Sequence, residues 1–343
     1  IPIATYANPV TLPYNADPIP ASTPIESGPL VYYNWADYIY KPEVKKFEEK
    51  FGVEVEITTF NNMEEGIAKV ESGQVKPDVF FPTKTYVRRL VQNDLIQPLQ
   101  HELVPNIENM WPVFWQDPGP YYDQQWRYTV PYVTYTWGVA YRRDRVSDEE
   151  LAAQGWDALW NHDYAGEISL YDSYGDTIAV AILRNGSLEV NTDDPDLITA
   201  AKDAIIQTID ENGAKLTING VYAKLPAGDY TVAEAWSGDI VGAQWYLPKD
   251  VKWDVLGYWR PEPGTSMTDN DLITIPTGAK NPRLAHEFIN FFLDERVSYD
   301  NFRYWNGYQP PLTSIDPDKL IADGVVPPTL PMSVVSQDMF RED

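Results

Sequence analysis

Val31-Tyr32-Tyr33-Asn34-Trp35-Ala36-Asp37-Tyr38-Ile39 is the stretch whose reading decides the fold. It opens as an apolar run with β character, then presents an indole (Trp35), a carboxylate (Asp37) and a phenol (Tyr38) in quick succession. Pro42-Glu43-Val44 heads a helix directly afterwards. A strand that delivers polar and aromatic side chains to a strand-to-helix loop is the usual ligand position of an open α/β sheet, outside the carboxyl ends of the strands. A carboxylate beside aromatic faces suits the capture of an organic cation.

Working outward, the periodicity keeps alternating. Val44, Phe47 and Phe51 share one face of the helix begun at Pro42, and Gly52 stops it. Val53-Glu54-Val55-Glu56-Ile57 alternates strictly and predicts a half-buried strand. Asn62 is placed to cap a helix carrying Met63, Ile67 and Val70, and Asp78-Val79-Phe80-Phe81 predicts a short buried strand before the helix of Tyr86-Val87-Leu90-Val91. This order predicts a doubly wound α/β unit. Residues 98–127 are irregular and rich in Trp, Tyr and Pro. Strands at 128–132 and 137–141 then predict the crossing to a second unit, with helix 148–160, strand 167–171, helix 176–184 and a long helix from Pro195 to Asn212. Strand 232–236, a helix near 239–246, strand 253–258, a return crossing at 272–276, a helix over 282–293 packing on the first unit and a short helix near 317–322 complete the expected elements. Residues 1–29 hold seven prolines and no helix or strand period, which predicts an extended tether. No sequence repeat of fixed period is present.

Composition bounds the chemistry. Cysteine is absent, so thiol catalysis, zinc–cysteine sites and disulfides are excluded. No run of about eighteen apolar residues occurs, and a secretory leader is expected to be missing from the mature chain. A net charge of −25, from 51 acidic against 26 basic residues, repels nucleic acid and attracts cations. Twelve Trp and 23 Tyr exceed what a core needs, which points some of them at a ligand surface. His101, His162 and His286 lie far apart, without a partner one helical turn away, so zinc and triad chemistry have no basis and no cofactor or metal is expected. Nucleotide-loop and hydrolase-elbow motifs are also missing.

The positive pattern is acids beside aromatics at strand-to-helix junctions: Trp35 with Asp37 and Tyr38, Tyr171 with Asp172 and Asp176, and Trp236 with Asp239. Asp269 and Asp271 add a pair before a strand. A single acid at a helix start is more often a cap than a ligand contact, but four such clusters at one edge favour a cation site. Tyr32, Tyr33, Tyr40 and most of Tyr121–Trp126 are assigned to packing or surface.

Asn34-Trp35-Ala36-Asp37-Tyr38-Ile39 resembles the opening motif of the periplasmic spermidine/putrescine-binding proteins of ABC importers. The likeness continues through Pro77-Asp78-Val79-Phe80-Phe81-Pro82-Thr83, Trp156-Asp157-Ala158-Leu159-Trp160, Tyr164-Ala165-Gly166, Trp236-Ser237-Gly238-Asp239, Asp271-Leu272-Ile273-Thr274-Ile275-Pro276 and Gly307-Tyr308. It covers roughly residues 30–310 in the family's order. The resemblance implies a two-lobed periplasmic-binding-protein fold, type II-like, each lobe a doubly wound and mostly parallel sheet with crossover strands as hinge. Residues 30–136 plus 267–303 would form one lobe, and 137–266 plus 304–343 the other.

By the same resemblance the chain is expected to be an exported, periplasmic or cell-surface receptor, not an enzyme, that closes over a linear polyamine in an acidic, aromatic-lined cleft and passes it to a membrane permease. Anchoring through the N-terminal tether and a monomeric state go with that expectation. Trp35, Asp37, Tyr38, Thr83, Asp172, Asp176, Trp236, Asp239, Asp269, Asp271 and Tyr308 are the implied ligand contacts. Asp269 stands where relatives carry an aromatic residue, and Lys84-Thr85 where they carry small or aromatic ones. Lys84 therefore keeps open a zwitterionic amine or opine as cargo, and paired acids on an aromatic cleft keep open a carbohydrate-active enzyme.

Overall fold

The computed structural model describes residues 10, 17–116, 123–262 and 264–340. In chain order the strands and helices are β1 (Leu30–Trp35), α1 (Lys41–Phe51), β2 (Val55–Phe60), α2 (Met63–Glu71), β3 (Val79–Phe80), α3 (Val87–Gln92), β4 (Ile96–Gln97), α4 (Pro112–Gln116) and β5 (Thr129–Arg142). They continue with α5 (Asp148–Gln154), β6 (Ile168–Tyr171), α6 (Tyr174–Arg184), α7 (Pro195–Asn212), β7 (Lys215–Thr217), α8 (Leu225–Ala227), β8 (Val232–Trp236) and α9 (Ser237–Gly242). The last are β9 (Leu256–Trp259), β10 (Thr268–Pro276), α10 (Pro282–Phe292) and α11 (Glu295–Asn301). The chain forms two compact units: Ile1–Thr134 with Asp269–Asp316 and Ser336–Asp343, and Tyr135–Thr268 with Pro317–Val335. The boundaries fall inside β5 and β10, the strands read as crossings.

In the first unit β1 pairs in parallel with β2 on one side and β3 on the other, and β10 runs antiparallel to β3 and β4. Alternation along β1 sends Tyr32 to one face and Tyr33 to the other. Tyr32 meets Phe81 at 5.0 Å and Phe288 of α10 at 5.9 Å, while Tyr33 meets Phe60 at 5.0 Å and Phe80 at 5.7 Å. Both tyrosines are fully buried, as the packing assignment expects. Phe47 of α1 lies 5.1 Å from Phe288, so α1 and α10 share an aromatic layer. Gly52 ends α1 at φ 66°, its N–H on the Glu48 carbonyl, a left-handed cap that favours glycine. Asn62 caps α2 through the Glu65 N–H.

The second unit repeats the strand order with different sequence. β6 pairs in parallel with β7 and β8, and β5 runs antiparallel to β8 and β9. Gly138 lets β9 approach, since a Cβ there would lie 2.1 Å from the Trp259 carbonyl oxygen. Trp160 Nε1 donates to the Ala204 carbonyl at 2.7 Å, and the Arg184 guanidinium stacks over the Trp160 ring, fastening α6 and α7.

Several expectations shift. Strand 53–57 becomes β2 at Val55–Phe60, and as the outer strand beyond β1 it leaves Ile57 40% exposed. Helix 148–160 ends at Gln154, because Gly155 at φ 55° breaks it into a 3-10 segment, Gly155–Trp160. The helix near 239–246 is α9 followed by a 3-10 turn, Ala243–Tyr246, and the strand of 253–258 starts only at Leu256. The helix near 317–322 is a single 3-10 turn, Pro317–Lys319. Residues 304–316 and 336–340, expected in the second lobe, fold with the first unit. Backbone bonds hold that segment there, Trp111 N–H to Pro311 O and Thr134 N–H to Gln309 O, each at 2.8 Å. Of the expected tether, residues 1–9 and 11–16 lie outside the described residues, as do Tyr121 and Tyr122. Its described end is fastened: Glu26 accepts the Leu284 N–H at 2.8 Å, and Asn281 Nδ2 donates to the Pro29 carbonyl at 2.9 Å. Among the described residues no helix is long and apolar enough to cross a membrane.

Candidate functional site

The first unit gathers Tyr38, Asp271, Thr83 and Tyr308. Tyr38 Oη donates to Asp271 Oδ2 at 2.9 Å, and Asp271 is only 5% exposed. Thr83 forms an isolated antiparallel bridge with Asp271, so the loop after β3 and the strand β10 bring these two residues side by side. The Tyr308 ring stands edge-on to Tyr38, centroids 4.9 Å apart. Tyr38 itself is held from behind, its carbonyl accepting Tyr132 Oη at 2.9 Å and Asn306 Nδ2 at 3.4 Å. This pinning fixes the turn in which Asp37 takes φ 56°, a left-handed conformation that Asp tolerates better than bulkier residues. Asp37 is exposed, and Trp35 ends β1 half-buried against Phe60 at 4.9 Å. Asp269 is half-buried; desolvation raises its carboxyl above the usual range, and the Lys84 charge draws it back down.

The second unit gathers Tyr171, Trp236, Asp239 and Glu234. The Tyr171 and Trp236 rings stack at 4.0 Å with an 18° interplanar angle. Tyr171 Oη accepts the Trp236 N–H at 2.9 Å and donates to Asp239 Oδ2 at 2.7 Å. Asp239 lies in the first turn of α9, where the helix dipole favours a carboxylate, and is 8% exposed. Burial, and then the Asp239 charge, push the Tyr171 phenol well above its usual range, so it stays a donor. Behind the stacked rings Glu234 of β8 is 1% exposed. Its Oε2 accepts the Tyr171 N–H at 3.1 Å and lies 2.9 Å from Thr177 Oγ1 of α6. Desolvation, with the Asp176 charge second, pushes the Glu234 carboxyl up to about 8.

The eleven residues singled out from the sequence therefore divide between the units. Trp35, Asp37, Tyr38, Thr83, Asp269, Asp271 and Tyr308 belong to the first, and Asp172, Asp176, Trp236 and Asp239 to the second. Tyr308 was expected in the other lobe. Contacts join Tyr38, Asp271, Thr83 and Tyr308 in one set and Trp236 with Asp239, through Tyr171, in the other. Asp176 touches the second set through its field on Glu234. Asp172 is exposed, and its described backbone bond runs to Thr217 of β7. Sequence reasoning missed Tyr171 as a site residue, along with Glu234. Glu234 does carry a signal: it sits two residues before Trp236 on the same strand face, within a central strand whose sequence neighbours are apolar on both faces.

Comparison with known proteins bears on the family and the fold. The spermidine/putrescine-binding periplasmic protein of Escherichia coli is 25% identical over 277 residues, covering 80% of this chain and 75% of that protein. Spermidine/putrescine-binding periplasmic protein 1 of Haemophilus influenzae is 24% identical over 270 residues, covering 78% of this chain and 71% of its own length. The crystal structure of the spermidine/putrescine ABC transporter substrate-binding protein PotD from Streptococcus pneumoniae superposes with a TM-score of 0.66 at 24% identity, covering 91% of this chain and 88% of that one. These relatives are transport proteins, which removes the carbohydrate-active enzyme as an alternative. Residues 44–327 match the family described as bacterial extracellular solute-binding protein, and the chain belongs to that family.

Proposed function

We propose that this receptor serves an ABC importer and takes a linear polyamine of the putrescine or spermidine class. An ammonium group has three donors and no acceptor, so out of water each end of such a ligand needs carboxylate or other oxygen acceptors. Its methylenes need apolar walls. Each unit offers one acid-and-ring set of that kind: Asp271 with Tyr38 and Tyr308, and Asp239 with Tyr171 and Trp236; Trp35, at the end of β1, adds an indole to the first. Asp37, Asp176, Asp172 and Asp269 add negative charge nearby in sequence or space, and Thr83 adds a hydroxyl. The observation that carries the reading is the matched pair of nearly buried carboxylates, Asp239 and Asp271, each accepting a tyrosine hydroxyl beside aromatic rings. The names of the bacterial relatives point the same way.

A zwitterionic amine or opine, its carboxylate paired with Lys84, is the second reading. Lys84 acts electrostatically on Asp269, so part of its charge is already answered within the first unit, and this weighs towards the polyamine. Thermal-shift screening of diamines and triamines against zwitterions separates the two. Anchoring through the N-terminal segment and a monomeric state belong to the same proposal.

The deciding experiment is calorimetry with putrescine and spermidine on Asp239→Asn and Trp236→Ala, each checked for fold by circular dichroism. A charge-assisted hydrogen bond is worth about 1.5–3 kcal/mol, so Asp239→Asn should weaken binding about 10- to 100-fold. A cation–π contact of about 0.5–2 kcal/mol, plus lost apolar contact, places Trp236→Ala in a similar range. Unchanged affinity in both variants removes the assignment.

A further inference from the structure

We infer that Glu234 is a neutral carboxylic acid at the backbone end of the Tyr171–Trp236–Asp239 set, and that it gives up its proton to solvent when a cationic ligand settles on that set. Three observations carry this. First, Thr177 Oγ1 lies 2.8 Å from the Tyr171 carbonyl oxygen and 2.9 Å from Glu234 Oε2. A hydroxyl has one proton, and the carbonyl can only accept it. With that proton on Tyr171 O, the second contact is a two-centre hydrogen bond only if the Glu234 carboxyl supplies its own proton. Second, Glu234 Oε1 is buried and has no hydrogen-bond partner among the described residues. An ionised carboxylate offers about four lone-pair sites and is very costly to bury with one oxygen unanswered, whereas the acid form tolerates it. Third, the charge that acts on Glu234 is negative.

The groups facing it make that third point element by element. From β6 comes Tyr171, whose phenol is committed to Asp239. From α6 come Thr177 and Asp176, and the Asp176 charge raises the Glu234 carboxyl. α9 contributes Asp239. On β5 the residue in register with Glu234 is the apolar Val139. Two further segments pack on β8. In Gly155–Trp160 the charged residue is Asp157, which is paired with Arg184; Gly220–Lys224 contributes Tyr222 and Lys224, the latter exposed. Burial, and then the Asp176 charge, push the carboxyl up to about 8, so it holds its proton at neutral pH. A cation placed at Asp239 and Asp176 reverses the local field, and the proton becomes easier to lose.

This inference rests on the polyamine reading and deepens it by adding a proton to the binding equilibrium. The sign follows from linkage: if binding releases a proton, affinity rises with pH until the free protein has lost that proton unaided. Putrescine should be titrated into the intact wild-type chain and into Glu234→Gln at pH 7 in two buffers of different ionisation enthalpy. The amine groups of the ligand stay protonated over the range used. The wild type should release roughly half to one proton per ligand, and its affinity should rise about five- to tenfold from pH 6.5 to 8.0. Glu234→Gln, which carries no titratable proton there, should show neither effect. Bound ligand with no proton released by the wild type, or the same release from Glu234→Gln, overturns the inference and leaves the polyamine reading standing. Absence of any binding heat from any polyamine overturns both, and that result is plainly distinct from the first. The wild-type measurement needs no variant, so a misfolded Glu234→Gln would not spare the inference.

Discussion

Both units bury an acid at the third strand of a sheet ordered second, first, third, and the two acids are treated differently. Asp78, just before β3, is 1% exposed and accepts three N–H donors: Val31 N at 2.9 Å, Asn281 N at 2.8 Å and Asn281 Nδ2 at 2.9 Å. Glu234, within β8, is equally buried but meets one N–H and one hydroxyl. The number of donors is what separates a structural carboxylate from a titrating one. Asp78 joins β1 to the start of α10 and holds the first unit together. Glu234 is left in chemical tension beside a ligand-type site.

The largest effect expected from this contrast is on stability. Asp78→Ala strands three donors, and each buried unsatisfied group costs about 1–3 kcal/mol, so denaturant unfolding should lose about 3 kcal/mol or more. A loss under about 1 kcal/mol would mean that the site rehydrates freely, and the contrast between the two acids would collapse.

Next in size is a dependence on pH. The Glu234 carboxyl titrates near 8 in the folded chain, against an ordinary value of 4.5. Between those values the folded state keeps a proton that the unfolded chain has lost, so stability falls as pH rises through the window, by at most about 1.4 kcal/mol per pH unit from one group. Asp123, whose carboxyl burial raises to about 6, contributes a similar fall at lower pH. His286, whose imidazole burial holds below its usual range, adds a rise in stability around pH 6.5, so it is the difference between wild type and Glu234→Gln from pH 6.5 to pH 8 that isolates Glu234. The wild type should lose more stability across that interval than Glu234→Gln does. Equal losses would show that Glu234 is already ionised.

Much of the fold was legible because periodicity is local. Val44, Phe47 and Phe51 with Gly52 mark α1, and Asn62 marks the start of α2, through contacts a few residues apart. Helix ends governed by one backbone angle were not: Gly155 cuts α5 short by its positive φ, and nothing in the side-chain pattern announces that. The site was half legible. Acids beside indoles at strand ends singled out Trp236 and Asp239, which the Tyr171 hydroxyl links. The Tyr38–Asp271 bond spans 233 residues and depends on how β10 sits against β3, which a single sequence does not carry. Glu234 was passed over because an acid in a strand reads as a solvent-facing residue until both faces are known to be covered.

The smallest effect sharpens the comparison between the two tyrosine–carboxylate pairs. Tyr38→Phe removes a donor from Asp271, a loss of about 1 kcal/mol for one hydrogen bond. Tyr171→Phe removes the donor to Asp239 and also the acceptor of the Trp236 N–H, leaving a backbone donor to be satisfied elsewhere. It should cost about 1 kcal/mol more than Tyr38→Phe in unfolding free energy, while the 4.0 Å ring stack on Trp236 survives, because phenylalanine keeps the ring. If the two variants lose the same stability, the Tyr171 hydroxyl contributes nothing beyond its bond to Asp239. The geometry of Trp236 must then be set by the stacked ring and the β8 backbone alone.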